Sequence, residues 1–172
     1  MAPDLLRVGH VPISEEMTAR GDIQVDDSLW PLVHIRFLGV PSTPQVEAYL
    51  ARMTGLLERG ERHVNLMDSS GMTGMGPPEQ RHLQAAWMKR HDATLRAQAL
   101  GTAFVITSPL VRLAVSVVFH LKPMHSVYLI AASLPEAATW AAHRLEGAGL
   151  HAEAERVRQR FVQGPSQHAG AS

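Results

Sequence analysis

Apolar and polar positions along the chain repeat with two different periods, and the switches between them predict its elements. Ile23 and Val25 alternate with Asp22, Gln24 and Asp26, the pattern of a short half-exposed strand. Asp26-Asp27-Ser28 turns the chain into a second strand, Trp30 to Leu38, with Val33, Ile35 and Phe37 on one face and His34 and Arg36 on an opposite, wetter one. Gly39 stops it. Thr43 as N-cap with Pro44 at the first helical position opens a helix that carries Val46, Leu50, Met53 and Leu57 at helical spacing and ends near Gly60.

A third strand, His63 to Met67, is predicted to end at Asp68, followed by a glycine-rich loop, Ser69 to Gly76. A long helix is expected from Pro77 to about Leu100, its buried stripe marked by Leu83, Trp87 and Leu95. Ala103-Phe104-Val105-Ile106 is uniformly apolar, as a central strand covered on both faces would be. Ser108-Pro109 opens a helix that is apolar nearly all round, with Arg112, Ser116 and His120 as its polar line; it must be deeply buried or covered by another chain. Lys122-Pro123 breaks it, and Ser126 to Ile130 reads as the last strand. Ser133 caps a helix through Leu145, and Leu150, Ala154, Val157 and Phe161 mark a final amphipathic one. The order β-β-α-β-α-β-α-β-α argues for a single α/β domain with helices packed on a mixed sheet, mostly parallel after the first hairpin. Residues 1–21 are expected to form an arm, 22–146 the α/β domain, 147–163 a C-terminal amphipathic helix and 164–172 a disordered tail.

Composition narrows the function more than it names it. Sixteen basic residues balance sixteen acidic ones, so no global field favours nucleic acid, and none is expected as a partner. The absence of cysteine removes disulfides, a thiol nucleophile and thiolate metal sites. The ten histidines are scattered, none in H-x-x-x-H or H-E-x-x-H, and no metal or cofactor is expected. No basic-then-apolar leader and no run of about 18 apolar residues is present, so no membrane span is expected and the cytoplasm is the expected compartment.

The chemistry-bearing stretch is the junction after the third strand. Groups at the carboxyl end of a strand in an open sheet are where ligands and partners usually meet the fold. Ser69, Ser70 and Thr73 are hydroxyls near a helix N-terminus, where a phosphate would find backbone N–H groups; the plainer alternative is that they satisfy local backbone groups. Gly71, Gly74 and Gly76 fit neither G-x-G-x-x-G nor a P-loop, and Asp-Ser-Ser-Gly is not the G-x-S-x-G elbow of a hydrolase. No complete catalytic constellation can be read, and no catalytic residue is assigned.

The element order, with Asp68-Ser69-Ser70-Gly71 between the third strand and the next helix, resembles the STAS domain of anti-sigma-factor antagonists and sulfate-transporter tails over about residues 22–146. Trp30, the Glu-Arg-Gly-Glu-Arg run before the strand, Gln-x-x-Trp in the helix and Glu136-Ala-x-x-Trp140 look more like the related SpoIIAA-like group of bacterial proteins. The resemblance implies a regulatory switch module that works by protein–protein contact without metal or organic cofactor, with Ser69 as the serine a kinase would phosphorylate. On that expectation Asp68, Met72, Met75 and Arg81 near the loop, and Val111, Val115, Val118 and Phe119 on the apolar helix, are the candidate contacts with a protein partner or a second copy of the chain. The alternative from another class is a small-ligand or lipid-binding domain whose pocket opens beside the same loop. A concave apolar pocket would favour it; a flat apolar patch would favour protein binding.

Overall fold

Five strands, β1 (Asp22–Asp26), β2 (Leu32–Gly39), β3 (His63–Met72), β4 (Ala99–Val105) and β5 (Tyr128–Ala131), form one sheet whose spatial order repeats the chain order. The computed structural model describes residues 21–121 and 126–164, apart from the Val118 side chain. All of the expected arm but Gly21, the Lys122-Pro123 break and the tail beyond Gly164 therefore lie outside the described residues. β1 runs antiparallel to β2, and every later neighbour is parallel. This is the mixed sheet that the patterning predicts.

The helices are α1 (Thr43–Leu57), α2 (Pro78–Arg90), α3 (Asp92–Gln98), α4 (Pro109–Leu121), α5 (Leu134–Gly147) and α6 (His151–Phe161). Because each parallel strand sits beside its predecessor, crossovers of one hand put their helices on the same face of the sheet. α1 packs there on Val33 and Ile35 through Val46, Tyr49, Leu50 and Met53, with Leu83 and Trp87 of α2 half-buried beside it. α5 and α6 follow the last strand and close the opposite face, where Leu32, Leu66, Ala103 and Val105 meet Ala137, Ala138, Ala141 and Leu145. Alanines let α5 lie close, and Trp140 covers Gly101 of β4, where a Cβ would come within 2.5 Å of its ring. Gly149, at φ 82°, turns the chain from α5 into α6.

Several elements depart from the sequence-based expectation. Ser42, rather than Thr43, caps α1, in a capping box: its Oγ accepts from the Gln45 N–H, and Gln45 Oε1 accepts from the Ser42 N–H at 2.8 Å. The helix expected from Pro77 to Leu100 is two helices broken at His91, because the chain must turn back to bring Ala99 beside His63 at the start of β4. Gln98 fixes that turn by donating from Nε2 to the Leu57 carbonyl at 3.0 Å. Leu100 accordingly belongs to β4, and β5 begins only at Tyr128. β3 does not end at Asp68 but continues to Met72, since β2 runs beside it as far as Gly39 and keeps offering backbone partners. His34 does not point to a wet face. It is buried beneath Phe161 of α6, with ring centroids 5.2 Å apart, while Arg36 remains exposed.

Candidate functional site

The expected loop, Ser69 to Gly76, is strand over its first half, Ser69 to Met72. Ser69 is half-buried in β3, and its hydroxyl donates to the Val105 carbonyl at 2.7 Å. Ser70 is exposed on the same strand, and its backbone N–H donates to Asp68 Oδ1 at 2.9 Å. Thr73 is exposed just past the strand end, Met72 is half-buried, and Met75 and Arg81 are exposed. Asp68 itself is buried, and His34 Nε2 faces its carboxylate at 3.9 Å. Burial alone would raise the Asp68 carboxyl, but the facing His34 ring and the Ser70 hydrogen bonds outweigh it and hold the pKa at about 2. The carboxylate thus stands between the histidine and the serine. In a relay the histidine must stand between the other two, so this arrangement supplies Ser70 with no general base.

Beneath α4, on the side of the sheet that carries α1, the structure is hollow. A cavity of about 710 Å³ lies between the sheet and α1 to α4. Its floor is two cross-strand rows set by the parallel register. One row is apolar: Ile35, Met67 and Phe104, each directly beside the next. In the adjacent row Val33, Asn65, Thr102 and Tyr128 are register partners, so Asn65 and Thr102 stand side by side on the cavity floor. Tyr49 and Met53 of α1 form one wall. Trp87 and Leu95 form another, and Trp87 is fixed by donating from Nε1 to Thr54 Oγ1 at 2.9 Å. Phe119 is the roof, packed edge-on against Phe104 and Tyr128 at 5.4 and 5.0 Å between ring centroids. The Tyr49 phenol is pushed upward by burial and is neutral at any physiological pH.

A second hollow of about 240 Å³ adjoins the first and shares Tyr49, Met67, Gln84 and Phe104 with it. Ser69, Met72, Met75 and Gly76 of the expected loop line this one together with Arg81 of α2, so that loop borders the hollow side of the sheet. Of the α4 candidates, Phe119 points inward, Val115 is half-buried, Val111 is exposed, and the Val118 side chain lies outside the description. The structure therefore does not gather the seven partner candidates whose side chains are described into one patch. The cavity-floor pair, Asn65 and Thr102, is absent from the sequence-derived candidates. Its signal is a polar residue in the middle of the apolar run Val64-Asn65-Leu66-Met67.

α4 is apolar on its outer side as well. Leu110, Leu113 and Leu121 are 77%, 64% and 74% exposed, and Val111 and Val117 about half. Arg112 is turned back to the fold, donating to the Ile106 carbonyl at 3.0 Å, and Ser116 bonds its own helix at the Arg112 carbonyl. Among the described residues no three histidine, aspartate or glutamate side chains gather where a metal ion could be held, and no helix is long and apolar enough to cross a membrane.

No protein-family model matches the sequence, and no curated protein matches it. Among solved structures, the chain is similar to an uncharacterized protein of the DUF3478 family with a SpoIIAA-like fold from Shewanella loihica PV-4. The two share 17% identity over 70% of this chain and 93% of that one, with a TM-score of 0.49. At that identity the likeness concerns the course of the chain and says nothing of a ligand.

Proposed function

We propose that this domain binds a small apolar molecule in the cavity between the sheet and α4. One observation carries the reading: a hollow of about 710 Å³ floored by Ile35, Met67 and Phe104 and roofed by Phe119. Ligand sites are typically concave, about 300–1,000 Å³, mostly apolar and furnished with a few placed polar groups. The helix expected to be deeply buried or covered by another chain is mostly exposed and turns half-buried residues such as Val115 and Phe119 inward, and the stripe Leu83, Trp87, Leu95 is likewise only half-buried. Filling that space with an apolar molecule removes the lining from water at about 25 cal/mol per Å².

The test is fluorescence titration with N-phenyl-1-naphthylamine, an apolar dye that brightens out of water. Saturable binding by the wild type and its loss in Ala99→Leu, which adds bulk to the cavity floor, is the expected result. Binding unaffected by Ala99→Leu counts against the cavity as the site.

A second reading, a protein-interaction module, is favoured by the outer face of α4. Leu110, Leu113 and Leu121 would be covered by a partner or a second copy, as large exposed apolar patches commonly are. Light scattering across a concentration series reports it: a mass that stays monomeric throughout removes the second copy from consideration.

A further inference from the structure

The outer side of α4 is a single aliphatic line. Leu110, Leu113, Val117 and Leu121 follow one another at three- and four-residue spacing, which sets them along one face of the helix, and all four are exposed. Arg112 and Phe119 lie on the other side and fix the way the helix is turned: Arg112 donates to the Ile106 carbonyl, and Phe119 packs on Phe104 and Tyr128. At 13 residues α4 is too short to span a bilayer, but it is long enough to lie in the interface of one.

The charge around this line selects what covers it. α4 holds no acidic residue, and between Glu79 and Glu136 the sequence has a single acid, Asp92, against Arg81, Lys89, Arg90, Arg96, Arg112 and Lys122. Asp92 is already engaged, its Oδ2 accepting from Arg96 Nε at 2.8 Å. Lys89 and Arg90 close α2, are exposed, and among the described residues neither is paired with a carboxylate. Lys89 and Arg96 line the same cavity as Phe119, so the cationic ends of α2 and α3 stand across that hollow from α4. A second copy docked through α4 would set this positive surround against its own image. Nucleic acid answers the charge but not the leucines. An anionic bilayer answers both, because its acyl chains take up the aliphatic row while its acidic headgroups attract the cations beside it.

We infer that α4 is a membrane-docking helix: Leu110, Leu113, Val117 and Leu121 enter the acyl boundary of an anionic bilayer, and Lys89 and Arg90 engage its headgroups. This assigns a lipid surface to the face that carries the second reading above, and it stands apart from the cavity reading, which the dye titration tests without vesicles. The experiment is cosedimentation of the full chain with vesicles of phosphatidylcholine and phosphatidylglycerol in equal parts, and with vesicles of phosphatidylcholine alone. The wild type is expected to bind the mixed vesicles at least about tenfold more tightly. Lys89→Gln combined with Arg90→Gln is expected to weaken binding to the mixed vesicles by about fivefold per charge and to leave binding to phosphatidylcholine unchanged. Leu113→Gln combined with Val117→Gln, both at exposed positions and neutral, is expected to keep the wild-type circular dichroism and to lose sedimentation with either vesicle. Failure of the wild type to sediment with the mixed vesicles, equal affinity for the two compositions, or binding that survives the glutamine pair on α4 overturns the proposal. So does a vesicle-free mass that doubles with concentration in the wild type and stays monomeric in that pair, which gives the face to a second copy.

Discussion

The two faces of this sheet are covered by helices of similar length and end up in opposite states. On the α5 and α6 face, Ala137, Ala138, Ala141, Ala142, Leu145, Ala154 and Val157 are fully buried and the helices lie close. On the other face only α1 is packed that way, while α2 and α3 bury no residue completely and α4 shows apolar side chains to solvent. The strands do not cause the difference, for they carry apolar side chains to both faces. It comes from what the helices bring: small residues that permit close approach on one side, and large, spaced ones such as Trp87, Leu95 and Phe119 that hold α2 to α4 away from the floor on the other. Space is thus built into one face, and the proposed ligand site lies there.

The sharpest way to break this comparison is a deletion on the closed face. Leu145→Ala is expected to lower stability by about 2–5 kcal/mol in urea denaturation, and Leu83→Ala on the open face by less, because its surroundings are already loosely filled. Additions should behave in the opposite sense. Ala138→Leu, which forces bulk between α5 and the sheet, is expected to cost about 1–3 kcal/mol, while Ala99→Leu, which enters the cavity, stays within about 1 kcal/mol of wild type by the same measurement.

A further effect is a pH dependence. The folded-state pKa of Asp68 is about 2, below the ordinary carboxylate value, so the folded protein binds fewer protons than the unfolded chain as the solution is acidified. Its contribution is complete above the unfolded-state pKa of about 3.9 and is lost as the pH falls through the folded value. Asp68→Asn is expected to flatten the acid limb of the stability curve by on the order of 1–2 kcal/mol between about pH 5 and pH 2, measured by urea midpoints.

Much of the fold is legible in the sequence, and the illegible parts have physical causes. Alternation finds β1 and β2, and Ser133-Leu134-Pro135 marks the start of α5, because these signals are local. The length of β3 is not local: Ser-Ser-Gly has weak strand preference, and the pairing of Leu38 with Gly71 and Gly39 with Met72 is what extends it. His34 reads as a polar residue on a wet face because the group that covers it, Phe161, lies at the far end of the chain. The cavity is the least legible feature. The spacing of Leu83, Trp87 and Leu95 predicts an inward stripe equally well whether the stripe meets the sheet or stops short of it. Asn65 and Thr102 become a pair only through the register of β3 and β4, which includes an irregularity between His63 and Val64.

A sheet whose strands are laid down side by side in the order of synthesis has a simple assembly history. Each parallel strand finds its neighbour already in place, and loop closures stay short, which keeps the entropic cost of every added strand low. The exception is the second layer: Leu32, Leu66 and Val105 wait bare until α5 and α6, the last helices among the described residues, arrive to cover them. A nascent polypeptide halted before Ser133 would display a continuous greasy floor, so the alanine-rich end of this domain also decides when it ceases to be sticky.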